Sequence, residues 1–185
     1  FETHMSSVTL HRDIKASTDI EFRAPESRDG PAVWQLIRDC GPLDDNSLYC
    51  NLLQCDHFAD TCVLAEKDGE TVGWVSGYIK PGAPDTLFVW QVAVADAARG
   101  MGLAGRMLDH LVARGVCAAV AHVNTTITSD NKASWALFRS FARRMDAPLE
   151  GNPHFRRDDH FEGRHDTEIM AEIGPFGGLR IKKAA

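Results

Sequence analysis

The chain has 185 residues, a formal net charge of −6, and ordinary apolar (44%) and charged (25%) fractions. This length predicts one domain that is large enough to bury a core, and the acidic balance argues against nonspecific binding to nucleic acid. No stretch approaches the roughly 20 apolar residues of a membrane span, and the sequence shows no secretory signal pattern. The five cysteines form no C-x-x-C pair, so neither a disulfide framework nor a zinc site is indicated. We therefore expect a cytoplasmic protein without a metal.

The chain is expected to divide into three segments. Residues 1–19 are predicted to be a cloning remnant ahead of Met5, followed by a mobile polar tail. Residues 20–176 are predicted to form the single folded domain, and residues 177–185 a C-terminal tail. No internal repeat, low-complexity segment or linker indicates a second domain.

The first half of the domain is predicted to contain a strand over 20–24, a helix from Gly30 to Cys40, a second helix from about residue 47, and strands over 61–66 and 71–80. Pro31 suits the first turn of the first helix, and Asp68-Gly69 between the last two strands is a strong hairpin signal. The two helices are joined by an acidic connection with adjacent carboxylates at Asp44 and Asp45. Such carboxylates are most often part of a solvated loop, but they can also receive a cationic substrate.

The second half is predicted to contain a strand over 86–94, a helix over 102–114, a strand over 118–124, a helix over 131–145 and a final strand over 167–173. Asn131 and the two polar residues before it can cap the longer helix. Residues 147–165 are rich in proline, glycine, histidine and charge, so we expect a loop with at most a short strand. The order of elements predicts an α+β fold with a mixed central sheet flanked by helices.

The stretch from the strand over 86–94 into the following helix is the most informative part of the chain. Gly100 and Gly102 lie at the start of that helix, where unpaired N–H groups and the helix dipole favour a phosphate. The spacing Gly100-x-Gly102-x-x-Gly105 matches a dinucleotide fingerprint, but the next strand ends without the acidic residue that a dinucleotide fold needs. An ordinary tight loop between a strand and a helix is the plain alternative.

The pattern Arg99-x-x-Gly102-x-Ala104 fits better, because it resembles the pyrophosphate loop of the GCN5-related N-acetyltransferases (GNAT), which bind acetyl-CoA. The predicted order of elements is also that of the GNAT, or acyl-CoA N-acyltransferase, fold. In that family the strand before the loop splays from the strand after the helix, and the pantetheine arm lies in the gap. The resemblance implies acetyl-CoA as co-substrate and these contact residues: Val92, Val94, Arg99, Gly100, Met101, Gly102, Leu103, Ala104 and Asn131.

Four blocks in the right order carry a narrower resemblance, namely residues 43–53, 88–94, 126–134 and 163–168. Together they resemble the L-2,4-diaminobutyrate N-acetyltransferases of ectoine biosynthesis over about residues 22–174. The resemblance implies acetylation of the N4 amine of diaminobutyrate, which yields a precursor of an osmoprotectant, by a homodimer. An exposed final strand and the region of Phe176 would suit such a dimer.

The proposed chemistry needs particular groups, because an alkylammonium has a pKa of about 10.4 and must lose a proton before it can attack. Asp44 is a candidate anchor for the ammonium, and Glu168 is a candidate anchor or proton acceptor. Tyr49 could hydrogen-bond the substrate, Trp90 could wall its methylene groups, and His165 could bind its carboxylate. The backbone N–H around Val92 can stabilise the oxyanion. These side chains also have ordinary structural interpretations. Tyr49 and Trp90 could be core aromatics, His165 a surface histidine, and Glu168 a glutamate on the face of a strand.

Many GNAT enzymes carry a tyrosine on the last long helix that protonates the CoA thiolate, and the matching residue here is Phe138. Since a thiol has a pKa of about 8.5, the thiolate can leave without that acid. Two alternatives remain open on the sequence: an acetyltransferase for another small polyamine, amino acid or protein amine, and a module that binds acyl-CoA without turnover.

Overall fold

The computed structural model describes residues 19–41 and 46–176. Five α-helices follow in chain order: α1 Gly30–Asp39, α2 Leu48–Asp56, α3 Leu103–Val112, α4 Lys132–Arg144 and α5 Arg157–Phe161. Seven strands accompany them: β1 Glu21–Arg23, β2 Val63–Lys67, β3 Glu70–Ile79, β4 Thr86–Val94, β5 His122–Thr128, β6 Leu149–Phe155 and β7 Glu168–Ile173. The predicted α+β class and the mixed central sheet are confirmed.

All seven strands form one sheet in the order β1-β2-β3-β4-β5-β7-β6. Neighbouring strands are antiparallel except β4 and β5, which are parallel. The predicted hairpin between β2 and β3 is present, and its turn residues Asp68 and Gly69 have φ of 51° and 82°. A positive φ at both positions is what the tight turn requires, which explains the Asp-Gly pair.

Helices cover both faces of the sheet. One core contains the apolar faces of α3 and α4, with Met107, Leu108 and Phe141 at 0% exposure. The other core lies under α1 and includes Ile37 and Trp74. Within the two described ranges, no helix is both long and apolar enough to cross a membrane.

Two predictions about the second half are wrong in detail. The strand expected over 118–124 runs from His122 to Thr128, because a 3-10 turn over residues 115–117 continues as a turn at residues 118–119. Residues 147–165, expected as a loop, contain β6 and α5. β6 is an edge strand with exposed side chains and a proline at Pro153, so it lacks the alternation by which a half-buried strand is recognised.

The final strand is not the exposed edge that the dimer argument assumed. β7 lies between β5 and β6 and is paired on both sides. Ala171 and Ile173 on β7 are fully buried, and the ring of Phe176 packs edge-on against Phe141 at 6.1 Å between centroids. β6 occupies the edge instead.

Candidate active site

The parallel strands β4 and β5 separate soon after they begin. Residues 86–88 pair with residues 122–124, and beyond Phe88 no further pairing joins the two strands. β4 nevertheless continues to Val94 and β5 to Thr128. The predicted gap is therefore present, and its walls carry backbone donors and acceptors that need partners.

The backbone of β4 is directed into this gap at alternate residues. The N–H of Ala95 donates to the carbonyl of Val72 across from β4 to β3, at 2.9 Å. In an antiparallel ladder the residues that face the partner strand alternate, so Ala93 also faces β3 while Val92 and Val94 point the other way. Their N–H and C=O groups thus face the side where β5 has diverged, and the carbonyl of Val94 accepts there from the thiol of Cys40 and from Nε of Arg99.

Trp90 forms a β-bulge in β4 that the sequence pattern did not predict. The register pairs Ser76 with Gln91 and then Gly77 with Val89, so Trp90 is the extra residue. Its side chain is 47% exposed and stands edge-on to the ring of Tyr78, at 6.5 Å. Bulges often lie beside active sites because they re-aim a side chain.

A long cavity of about 670 Å³ follows β4 past the start of α3 to the first turn of α4. Its lining includes these residues predicted to contact the cofactor: Val92, Val94, Arg99, Ala104 and Asn131. The side chain of Asn131 also caps α4, since its Oδ1 accepts from the N–H of Ser134 at 3.0 Å. We call this space the long cavity.

The loop at the start of α3 needs glycine for its conformation. Gly100 and Gly102 have φ of +78° and +66°, and an added Cβ at either position would meet no atom within 4 Å. The open space leaves room for a ligand next to the backbone, at the positive end of α3. Met101 is 49% exposed, whereas the side chain of Leu103 is 2% exposed in the core. Leu103 can therefore contact a ligand only through its backbone.

Arg99 links this loop to the end of α1. Its guanidinium pairs with Asp96 at 3.0 Å and donates to the carbonyl of Cys40 at 3.2 Å. The thiol of Cys40 donates in turn to the carbonyl of Val94 at 3.3 Å, and burial raises the pKa of this thiol. No sequence pattern identifies Cys40 as a site residue, because no spacing signal connects it with Arg99.

A second space, the inner cavity, has a volume of about 250 Å³ and lies between the diverging strands. It shares four lining residues with the long cavity: Val92, Thr128, Asn131 and Ser134. Trp90, His165 and Glu168, which were predicted as site residues, also line it. The two cavities therefore meet beside Val92, where these shared residues lie.

Two residues that the sequence analysis missed close one side of the inner cavity. The Nδ2 of Asn46 donates to the Oε1 of Gln91 at 3.0 Å. The carbonyl of Asn46 accepts from the indole Nε1 of Trp34 on α1, at 3.1 Å. The start of α2 is thus attached to β4 beside the bulge. Both residues fall inside blocks that carried the resemblance, and their residue types alone gave no sign of this contact.

Glu168 and His165 lie together at the inner cavity. Glu168 is the first residue of β7, and the Nε2 of His165 lies 3.7 Å from its Oε1. The Nδ1 of His165 lies 2.7 Å from the carbonyl oxygen of Asp166. The His165 ring also packs on Phe161, at 4.7 Å between centroids. The arrangement can hold a cation and accept a proton.

Two further predicted residues are Tyr49 and Asp44, of which only Tyr49 lies in the described part of the chain. Tyr49 lies in the first turn of α2 with 69% of its surface exposed, and it lines neither cavity. Asp44 lies outside the described residues. Among residues 19–41 and 46–176, no group of histidine, cysteine, aspartate or glutamate could hold a metal ion.

Phe138 lines the inner cavity and is 2% exposed. Its ring forms part of the wall where a tyrosine would present a hydroxyl. One helical turn earlier, Ser134 lines both cavities where they meet. The hydroxyl groups at this junction belong to Ser134 and Thr128.

Comparisons with known proteins agree with this geometry. The sequence model of the acetyltransferase (GNAT) family matches residues 30–142. An L-2,4-diaminobutyric acid acetyltransferase of Methylotuvimicrobium alcaliphilum is 49% identical over 168 residues, which cover 91% of this chain and 98% of the relative. That of Halomonas elongata is 48% identical over 156 residues, covering 84% of this chain and 81% of the relative.

A solved structure is similar over nearly the whole fold. It is the diaminobutyrate acetyltransferase EctA from Paenibacillus lautus in complex with its substrate L-2,4-diaminobutyric acid and coenzyme A. The TM-score is 0.83 at 42% identity, and the match covers 88% of this chain and 98% of that chain. The chain therefore belongs to the GNAT family of acetyltransferases and, within it, to the family of L-2,4-diaminobutyric acid acetyltransferases.

Proposed function

We propose that this protein transfers the acetyl group of acetyl-CoA to the N4 amine of L-2,4-diaminobutyrate. The observation that carries the proposal is the meeting of two cavities at Val92, one lined by the phosphate loop and the other by a carboxylate. Relatives that carry this activity in their names support the choice of substrate. On this proposal the product is a precursor of ectoine, an osmoprotectant.

In this proposal the long cavity holds CoA. Its pyrophosphate lies against Arg99 and the backbone of residues 100–104, where the positive end of α3 stabilises the charge. The pantetheine arm runs along Val94 and Val92 and past Asn131. The thioester carbonyl then lies at the N–H of Val92, which stabilises the oxyanion of the tetrahedral intermediate.

The acceptor amine occupies the inner cavity. Glu168 holds the ammonium and accepts its proton, and the neutral amine attacks the thioester carbon. Trp90 forms a wall for the methylene groups of the substrate. The sequence resemblance adds Asp44 as an anchor for the ammonium. The N–C bond forms, the C–S bond breaks, and CoA leaves as a thiolate. None of these steps requires a metal ion.

The direct test measures acetyl-CoA consumption, with the released thiol of CoA as the readout. Diaminobutyrate, ornithine, lysine and putrescine are compared as acceptors in parallel. We expect a strong preference for diaminobutyrate, with NMR placing the acetyl group on N4. Because the free amine reacts, kcat/KM should rise between pH 6 and 9, below the pKa of the amine at about 10.4. Turnover with another amine alone would favour the other-acceptor alternative, which a single carboxylate in the cavity also fits. Tight CoA binding without any turnover would favour a binding module.

We also propose that the protein is a homodimer, with the interface around Phe155 on the edge strand β6. Phe155 is 41% exposed, and its ring packs against those of His154, His160 and Phe161. An exposed aromatic patch at a sheet edge is typical of an interaction surface.

Light scattering after size exclusion is expected to give twice the chain mass of 20.4 kDa. Phe155→Asp should shift the protein toward the monomer, because a carboxylate cannot be buried at the interface without a partner. Val116→Asp is the matched control, since Val116 is 45% exposed and distant in sequence from β6. A monomeric wild type, or a dimer that survives Phe155→Asp, would contradict this interface.

The five cysteines are all free thiols. This supports the expected cytoplasmic location, where thiols are kept reduced. Fractionation of cells that express the tagged protein is the check, and recovery outside the cytoplasm would contradict it.

A further inference from the structure

Acetylation of an ammonium leaves the inner cavity with protons to remove. An alkylammonium and an acyl thioester become an amide and a thiol with the net loss of one proton. The nitrogen gives up one proton before it attacks and a second from the tetrahedral adduct, and the second balances the departing thiolate. Under the proposed function Glu168 accepts both protons from the nitrogen. It must therefore lose the first proton before it can accept the second.

We propose that His165 is a proton relay that deprotonates Glu168. Its Nε2 takes the first proton from Glu168 and releases it to solvent. The inference rests on the proposed function and names a residue that acts through Glu168 rather than on the substrate. It differs from the carboxylate-binding role that the sequence predicts for His165.

The contacts of the imidazole set which nitrogen can do this. The carbonyl of Asp166 can only accept, so the Nδ1 of His165 carries a hydrogen in their 2.7 Å contact. The neutral ring therefore has its lone pair on Nε2, the nitrogen that lies 3.7 Å from the Oε1 of Glu168. Such distances commonly shorten when substrate binds. Phe161 packs on the ring and holds its plane.

His165 is also the side chain that connects the inner cavity with the surface. A third space of about 330 Å³, which we call the outer cavity, is lined by Thr128, Asp130, Arg157 and the residues from Gly163 to Asp166. His165 and Thr128 belong to both the inner and the outer cavity. The side chain of His165 is 33% exposed, against 17% for Glu168. A proton on His165 is thus closer to solvent than one on Glu168.

Charged groups lie around the ring of His165 in the inner and outer cavities. Asp130, on the turn before α4, accepts from the Thr128 hydroxyl at 2.6 Å; this hydrogen bond lowers the pKa of Asp130, and the charge of His165 lowers it further. On the other side, Arg157 of α5 is paired with Asp166 at 3.2 Å, and Arg164 with Glu162 at 2.7 Å. With both arginines paired, Glu168 and Asp130 remain as the acidic groups that face the histidine.

The proton path is then complete. The first proton moves from the ammonium to Glu168 and from there to Nε2 of His165. Nε2 then releases it to water in the outer cavity, while Nδ1 keeps its hydrogen on the carbonyl of Asp166. The amine forms the N–C bond, Glu168 takes the second proton from the adduct, and the C–S bond breaks. The second proton goes to the thiolate of CoA, so Glu168 and His165 return to their starting states.

The test compares wild type with His165→Ala and His165→Gln under saturating acetyl-CoA. His57→Gln is the matched control, because His57 is an exposed histidine on the end of α2 that lines none of the three cavities. We expect kcat to fall by roughly tenfold to a hundredfold in both variants, with KM for acetyl-CoA unchanged and no change in the control. Added imidazole should restore turnover to His165→Ala but not to His165→Gln. The dependence of kcat on pH should differ between wild type and both variants.

Three results would overturn the relay. The first is an unchanged kcat in both variants. The second is a loss of kcat that imidazole does not restore, with the wild-type pH profile retained, which would indicate a structural role. The third is a higher KM for diaminobutyrate alone, with turnover of its decarboxylated analogue 1,3-diaminopropane unaffected, which would assign His165 to the substrate carboxylate. If wild type acetylates another amine and not diaminobutyrate, the proposed function fails, and the same comparison on that amine still decides the relay.

Discussion

Replacing Glu168 with glutamine is expected to lower kcat/KM for diaminobutyrate by about a thousandfold, within the range of roughly 10²–10⁴ that a general acid or base contributes. Glutamine keeps the size of the side chain and its position at the start of β7, but it can neither balance an ammonium nor accept its proton. The measurement is steady-state thiol release over a range of pH. Affinity for CoA, measured by calorimetry, should be unchanged, because Glu168 lines the inner cavity and not the long one.

Glu150→Gln provides the matched control. Glu150 lies on β6, is exposed, and lines none of the three cavities, so this change should leave kcat/KM within about twofold of wild type, as expected for a surface substitution. If the Glu168→Gln variant keeps more than a tenth of the activity, a group other than Glu168 accepts the proton of the substrate ammonium. An equal loss in both variants would point to a general effect of charge.

Phe141→Ala is expected to lower the free energy of unfolding by about 3–5 kcal/mol, the usual cost of emptying a phenylalanine site in a core. Phe141 is 0% exposed on α4, and its ring packs edge-on against Phe176. Domains are typically stable by about 5–15 kcal/mol, so the loss is a large fraction of the total. Denaturant unfolding followed by tryptophan fluorescence measures it, and the melting temperature should fall by about 6–20 °C.

Phe58→Ala removes the same side chain from a surface position. Phe58 is 41% exposed, with one ring contact to Tyr78 at 6.3 Å, so we expect a loss of at most about 1 kcal/mol. Equal losses for the two variants would contradict the assignment of Phe141 to the core. Activity per folded molecule should be retained by Phe58→Ala.

The regular elements with a strong local signal were predictable from the sequence. The hairpin of β2 and β3 follows from Asp68-Gly69, and the amphipathic helices α1, α3 and α4 follow from their apolar spacing. β6 was missed, because an exposed edge strand buries neither face and so carries no period of two. The start of β5 was placed four residues early, because the apolar residues before it belong to a turn in which Cys117 and Val120 are buried.

The lining of the long cavity was more predictable than that of the inner cavity. Val92, Val94, Arg99 and Ala104 come from one continuous stretch, and a strand followed by a glycine loop and a helix brings them together by local geometry alone. The inner cavity is formed by β4, the start of α2 and the start of β7, which are far apart in the sequence. No local sequence pattern therefore predicts it. The contact of Asn46 with Gln91 spans 45 residues of sequence.

The sequence by itself determined the class of the fold, the phosphate loop and the family, because these depend on local periodicity, on glycine conformation and on blocks of residues in order. Only the tertiary structure decided that Trp90 is a bulge, that β7 lies inside the sheet, and that His165 stands between Glu168 and the surface. Each of these depends on the register and order of strands, which are selected by the packing of distant segments. No pattern within a single stretch of the chain predicts such packing.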